Sequence, residues 1–119
     1  MGITQVTIQI ANLTDGARPQ TVECVVDTGA FLSVVPRETL KKLGVVPKQK
    51  KQFTLANGRK ITRWIGEVRF CYHTHSGPSW AIFGEKGDKA LLGVHAIEAM
   101  GLEVDPVNKR LKPTELLLL

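Results

Sequence analysis

An apolar run, Cys24, Val25 and Val26, leads straight into Asp27, and Thr28, Gly29 and Ala30 follow. An unpaired charge in apolar surroundings is expensive. A carboxylate there is either held by local hydrogen bonds or kept for chemistry. The structural version is an Asx-turn, with Asp27 capping the bend that Gly29 permits. The chemical version is a carboxyl that passes protons. Other candidates fare worse. Ser33 has no His and Asp partners in a nucleophile arrangement. His73 and His75 could share a strand face toward a metal, but no third ligand stands near, and an exposed loop accounts for them. Cys24 and Cys71 lack metal-ligand spacing, are too few for a disulfide scaffold and read as buried small hydrophobes. No metal and no cofactor is expected.

The chain has 119 residues, 43% hydrophobic and 23% charged, which suits one compact domain over 1–119 and argues against wholesale disorder. The formal charge of +5 permits contact with nucleic acid or an anionic surface. The densest basic run, Lys48-Gln49-Lys50-Lys51, reads instead as a solvated loop, and few aromatics interleave with it as single-strand binding requires, so no nucleic acid is expected. No secretory signal and no membrane-length apolar stretch is evident. The expected setting is cytoplasmic, with reduced thiols.

The elements that must position Asp27 are mostly strands. Gly2 to Ile10 alternates apolar and polar residues, Asp15-Gly16 signals a turn, and Thr21 to Val26 returns as a second strand. Pro36 to Gly44 reads as a short helix with proline in its first turn, Leu40 and Leu43 on one face, and glycine at its end. Phe53 to Leu55 and Lys60 to Trp64 flank Ala56-Asn57-Gly58-Arg59, and Asn-Gly between extended runs is the strongest short hairpin signal. Glu67 to Tyr72 alternates, His73 to Ser79 reads as a polar loop, and Trp80 to Phe83 as a short strand. Ala90-Leu91-Leu92-Gly93 reads as a buried strand, Val94 to Met100 as a helix ended by Gly101, and Leu102 to Leu111 as a last hairpin. The sum is a mostly β domain, a small closed barrel or orthogonal sandwich, with one or two short helices.

Taken together, the apolar strand entering Asp27-Thr28-Gly29-Ala30, the hairpin tipped by Asn57-Gly58, and Leu91-Leu92-Gly93 opening a helix resemble the retropepsin-like aspartic proteases. These are single-domain relatives of the retroviral enzymes, and the likeness is greatest to bacterial and archaeal members. It covers about residues 3 to 113. It implies a small closed acid-protease barrel with a flap hairpin, no metal or cofactor, and a peptide or protein substrate. Such chemistry needs two carboxyls close enough to share a proton, one taking a proton from water while the other protonates the scissile carbonyl. Asp15, Asp88 and Asp105 do not follow an apolar strand with Thr-Gly behind them. One catalytic aspartate per chain therefore calls for a two-fold homodimer in which Asp27 meets its own copy.

The resemblance assigns roles residue by residue. Asp27 is the acid and base. Thr28 bonds across the axis, Gly29 admits the substrate backbone, and Ala30, Phe31 and Leu32 shape subsite walls. Ala56, Asn57, Gly58 and Arg59 tip the flap and meet substrate. Leu91 and Leu92 sit in the core, with Gly93 behind the active loop. Mildly acidic pH should favour such an enzyme. Two departures stand out. Retroviral proteases carry an aspartate and an arginine where this chain has Phe31 and Val94, so their ion pair near the dimer interface is missing. The tip is also less glycine-rich, and Arg59 would bias it toward acidic or polar substrate positions. The tail Leu116 to Leu119 would aggregate if left bare and could pack in the dimer or fray. The competing reading is a catalytically silent module that keeps the fold and holds a peptide or dimerises.

Overall fold

The computed structural model describes residues 4–14, 16–115 and 118. The chain runs β1 (Gln5–Ala11), β2 (Gln20–Val26), β3 (Ser33–Pro36), α1 (Arg37–Lys42), β4 (Gln49–Thr54), β5 (Lys60–Tyr72), β6 (His75–Gly84), β7 (Leu91–Leu92), α2 (Val94–Ala99), β8 (Leu102–Asp105) and β9 (Arg110–Pro113). It is mostly β with two short helices. Seven strands form one sheet in the order β1-β2-β7-β3-β6-β5-β4, and a further pairing of β1 with β5 closes six of them into a ring. Among the described residues only β4 hangs outside, bonded to β5 on one side and to no described strand on the other.

Period-two alternation sends one face of β1, β2 and β5 inward. Val6, Ile8 and Ile10 of β1 are buried, as are Val22 and Cys24 of β2 and Val68 and Phe70 of β5. The helices add to the same core. Leu40 of α1 and Leu43 at its C-terminal cap are fully buried, and the helix stops in a Schellman arrangement. Gly44 at φ 71° donates to the Lys41 carbonyl and Val45 to the Leu40 carbonyl. In α2, Ala96 and Ile97 are buried, and the β8–β9 hairpin adds Leu102 and Leu111 to the same core.

Several expectations need correction. The basic run at Lys48 is not a loop. From Gln49 onward it is strand β4, because residues 49–54 find backbone partners in 60–65 of β5. The polar loop expected over His73 to Ser79 shrinks to a turn at His73-Thr74, and β6 starts at His75 opposite Tyr72. Its Ser-Gly-Pro sequence misleads because Gly77 answers a distant demand. A Cβ there would collide with the Ala99 carbonyl at the end of α2. Cys24 is buried, whereas Cys71 is only half-buried. The turn expected at Asp15-Gly16 depends on Asp15, which lies outside the described residues, and so does the tail apart from Leu118. No described helix is long and apolar enough to cross a membrane.

Candidate active site

Asp27 leaves the end of β2 at the point where three separated segments meet. β7 lies parallel to β2, with Val25 opposite Leu91 and Val26 opposite Leu92, and antiparallel to β3 on its other side. The Asp27 amide donates to the Leu92 carbonyl at 3.0 Å, and Ala30 closes the turn by donating to the Asp27 carbonyl at 3.1 Å. Helix α2 then takes up the far side of the loop. Val94 donates to the Ala30 carbonyl and His95 to the Phe31 carbonyl, each at 2.9 Å.

Gly93 makes this packing possible. Any Cβ on it would sit 2.7 Å from the Leu32 carbonyl group and 2.9 Å from the Ala30 oxygen, and backbone cannot yield as a side chain can. Its N–H donates 2.9 Å to the fully buried Ser33 hydroxyl. Ser33 is therefore a brace between β3 and the Gly93 turn, a role the sequence reading missed. A lone serine between apolar neighbours was the available signal, since a buried hydroxyl requires a partner.

The Asp27 carboxylate is half-buried, and its Oδ1 accepts the Gly29 N–H at 2.9 Å. This is the Asx-turn, and it does not compete with a chemical role. One oxygen is used to fix the plane of the carboxylate. Among the described residues nothing bonds to Oδ2, which is left for an incoming group.

The loop forms the floor of a cleft of about 950 Å³. Asp27, Gly29 and Ala30 lie along it, Phe31, Leu32 and Leu91 add to its lining, and the β4–β5 hairpin contributes Phe53, Leu55, Ala56 and Ile61. Leu92 is buried behind, as read from the sequence, but Leu91 is half-buried and lines the cleft instead of filling the core. Thr28 points elsewhere. It is exposed and lines a second, shallower depression with Val94 and Ile97 of α2 and Val104 of β8. Of the four tip residues only Ala56 lines the cleft. Asn57, Gly58 and Arg59 do not.

The tip also turns differently from the simple Asn-Gly hairpin. Gly58 donates to the Leu55 carbonyl at 2.9 Å, Leu55 to the Arg59 carbonyl at 2.7 Å, and Gly58 alone has a positive φ, 86°. This is a type I turn followed by a left-handed glycine, the bulged hairpin. The Asn57 side chain accepts the Arg59 N–H at 2.9 Å and stiffens it.

Two polar constellations flank the cleft, and the sequence reading passed over both. On one wall, Arg63 of β5 grips Asp88 in bidentate fashion, Nε to Oδ2 at 2.8 Å and Nη2 to Oδ1 at 3.1 Å. That hydrogen bonding holds the Asp88 carboxyl below its usual value and raises the Arg63 guanidinium. On the other, His95 Nδ1 and the buried Ser79 hydroxyl share a hydrogen bond at 2.6 Å, and the Phe31 ring packs edge-on to His95 at 5.2 Å. Phe31 remains 65% exposed. Among the described residues no cluster of three His, Cys, Asp or Glu could hold a metal ion.

A mostly β ring, a single Asp-Thr-Gly loop braced from behind by an apolar-apolar-Gly turn, and a hairpin that lines the resulting cleft fit the aspartic-protease class. The aspartyl protease family profile matches residues 6–96, and the chain belongs to that family. No curated protein matches the chain at a significant level.

Proposed function

We propose that the protein is an aspartic endopeptidase that works as a homodimer, with Asp27 from each subunit forming the catalytic pair. The observation that carries this reading is the state of Asp27. Its carboxylate is oriented through Oδ1, its Oδ2 is without a bond among the described residues, and it stands on the floor of a roofed cleft large enough for several residues of an extended peptide.

In the dimer, water sits between the two Asp27 carboxyls, which share one proton. The ionised carboxylate takes a proton from the water as its oxygen adds to the scissile carbonyl carbon, and the protonated partner gives its proton to the carbonyl oxygen. Collapse of the resulting gem-diol, with proton transfer to the amide nitrogen, breaks the C–N bond. No covalent enzyme intermediate forms. The Gly29 N–H keeps each carboxylate in plane, and the hairpin excludes bulk water while substrate is held. In place of the retroviral ion pair, the Phe31 ring beside each Asp27 loop offers an apolar contact between subunits.

The test is subunit mixing. Asp27→Asn should abolish cleavage. Mixed in equal amounts with wild type and allowed to exchange, it should leave about one quarter of the activity of the same total protein, the statistical share of wild-type pairs. A fall only to one half, or full activity from a strictly monomeric species in sedimentation, refutes the paired mechanism.

A further inference from the structure

The cleft carries a charge arrangement that hydrolysis does not use. On the β4–β5 hairpin, the faces alternate. Gln49 opposite Ile65, Lys51 opposite Arg63, and Phe53 opposite Ile61 line the cleft. Lys50 opposite Trp64 lies on the outer face, its ammonium 5.6 Å from the indole. Placing two cations directly opposite each other on adjacent strands is unfavourable, and here they are aimed into a cleft with mainly apolar walls. A third cation, Lys89, lines the same wall from the loop before β7.

Asp88 and Glu85 leave two of these three cations unpaired. Asp88 gives both oxygens to Arg63, and its Oδ2 also accepts the Glu85 N–H at 2.8 Å. The Glu85 carboxylate pairs with Arg37 at 3.7 Å. Among the described residues, neither Lys51 nor Lys89 has an ion-pair partner within 4.0 Å. Arg63 is thus a fixed anchor, and two lysines beside it have charge to spare. Low-dielectric walls concentrate such a field on whatever enters.

Position along the cleft follows from the chain. Leu92 meets the Asp27 amide, and Lys89 precedes it by three residues, a span of at most about 11 Å. An extended peptide advances about 3.3 Å per residue. We infer that the cleft selects peptides bearing a carboxylate side chain two or three residues from the bond to be cut, received by Lys51 and Lys89 beside the Arg63–Asp88 pair. The inference rests on the peptidase reading of this cleft. In a two-fold dimer the basic subsite occurs twice, so the preference holds on both flanks of the cut. Arg59, at the exposed tip, is not its source.

Binding separates this claim from catalysis. Asp27→Asn protein, which keeps the groove, is titrated by fluorescence anisotropy with extended peptides of apolar centre that carry Glu, Gln or Lys at the two flanking positions. The Glu peptide should bind at least fivefold tighter than the Gln peptide at low salt, and the gap should narrow as salt rises. Adding Lys51→Gln and Lys89→Gln, both at exposed positions, should equalise the two. Adding Lys51→Glu and Lys89→Glu should turn the preference toward the Lys peptide. Equal binding of all three, no binding of any, or a Glu preference indifferent to the lysine substitutions overturns the inference. Wild-type cleavage is read separately. Glu and Gln peptides cut with equal kcat/KM would leave the peptidase standing and end the charge selection. Charge-selective binding with no cleavage would do the reverse.

Discussion

At the floor of the cleft, the loop from Asp27 to Leu32 is bonded outward. Leu92, Val94 and His95 each exchange a backbone hydrogen bond with it, and Ser33 fastens Gly93 behind it. At the roof, the hydrogen bonds of residues 55–59 to described residues run among themselves, through Leu55, Gly58, Asn57 and Arg59. The backbone of the loop that carries the carboxylate is thus held by parts of the chain sixty or more residues away, while the hairpin tip is bonded within itself. Segments of the second kind open at low free-energy cost, and those of the first move only when the core moves. The Arg63–Asp88 pair lies between the two regimes, tying the middle of the hairpin to the wall.

That contrast can be broken from the floor first. Gly93→Ala should be the most damaging single methyl, destabilising by about 3 kcal/mol or more as the new Cβ meets the Leu32 and Ala30 backbone. Urea denaturation gives the stability, and cleavage activity should fall with it. Ser33→Ala should cost about 1–3 kcal/mol by leaving the buried Gly93 N–H without its acceptor. A smaller loss would mean the brace is unimportant.

The wall comes next. Asp88→Asn should cost about 1.5 kcal/mol at neutral pH, with the hairpin exchanging its amide hydrogens faster. The sign with pH follows from the lowered Asp88 carboxyl. A group whose folded value lies below its unfolded one stabilises above the unfolded value, about 3.9, and loses that contribution as pH falls through the folded one. The gap between wild type and Asp88→Asn should therefore hold at mildly acidic pH, where an aspartic dyad works, and close only below about pH 4. At the roof, Gly58→Ala meets no atom within 4 Å and costs only the left-handed backbone, about 1 kcal/mol. It should lower the melting temperature by only a few degrees yet alter turnover. If it unfolds the protein, the roof is not independent of the floor.

The floor was more legible in the sequence than the roof. An apolar strand ending in Asp-Thr-Gly and an apolar pair ending in Gly are local patterns, and Pro36 and Gly44 bracket α1 for reasons within one turn of chain. What escaped notice was set by distance. Arg63 and Asp88 lie 25 residues apart, and nothing beside either announces the other. Gly77 looks like a loop residue until the end of α2 rests on it. The lysines of β4 look like a solvated run until β5 gives them a ladder. Asn57-Gly58 signalled a hairpin correctly, but only Gly58 takes a positive φ, so the bulge and the side of the tip facing the cleft could not be read.

The unpartnered flank of β4 bears on how the molecule behaves in a crowded solution. An open row of amides and carbonyls is a template on which a stray extended segment can grow, and growth of that kind ends in fibres. Here the template carries Lys50 on its outer face and Lys51 on its cleft face, with Lys48 just before it, so any like strand arriving in register brings its own positive charges against them. Concentrated stocks should stay dispersed in dilute buffer and begin to clump once added electrolyte hides those ammonium groups from one another.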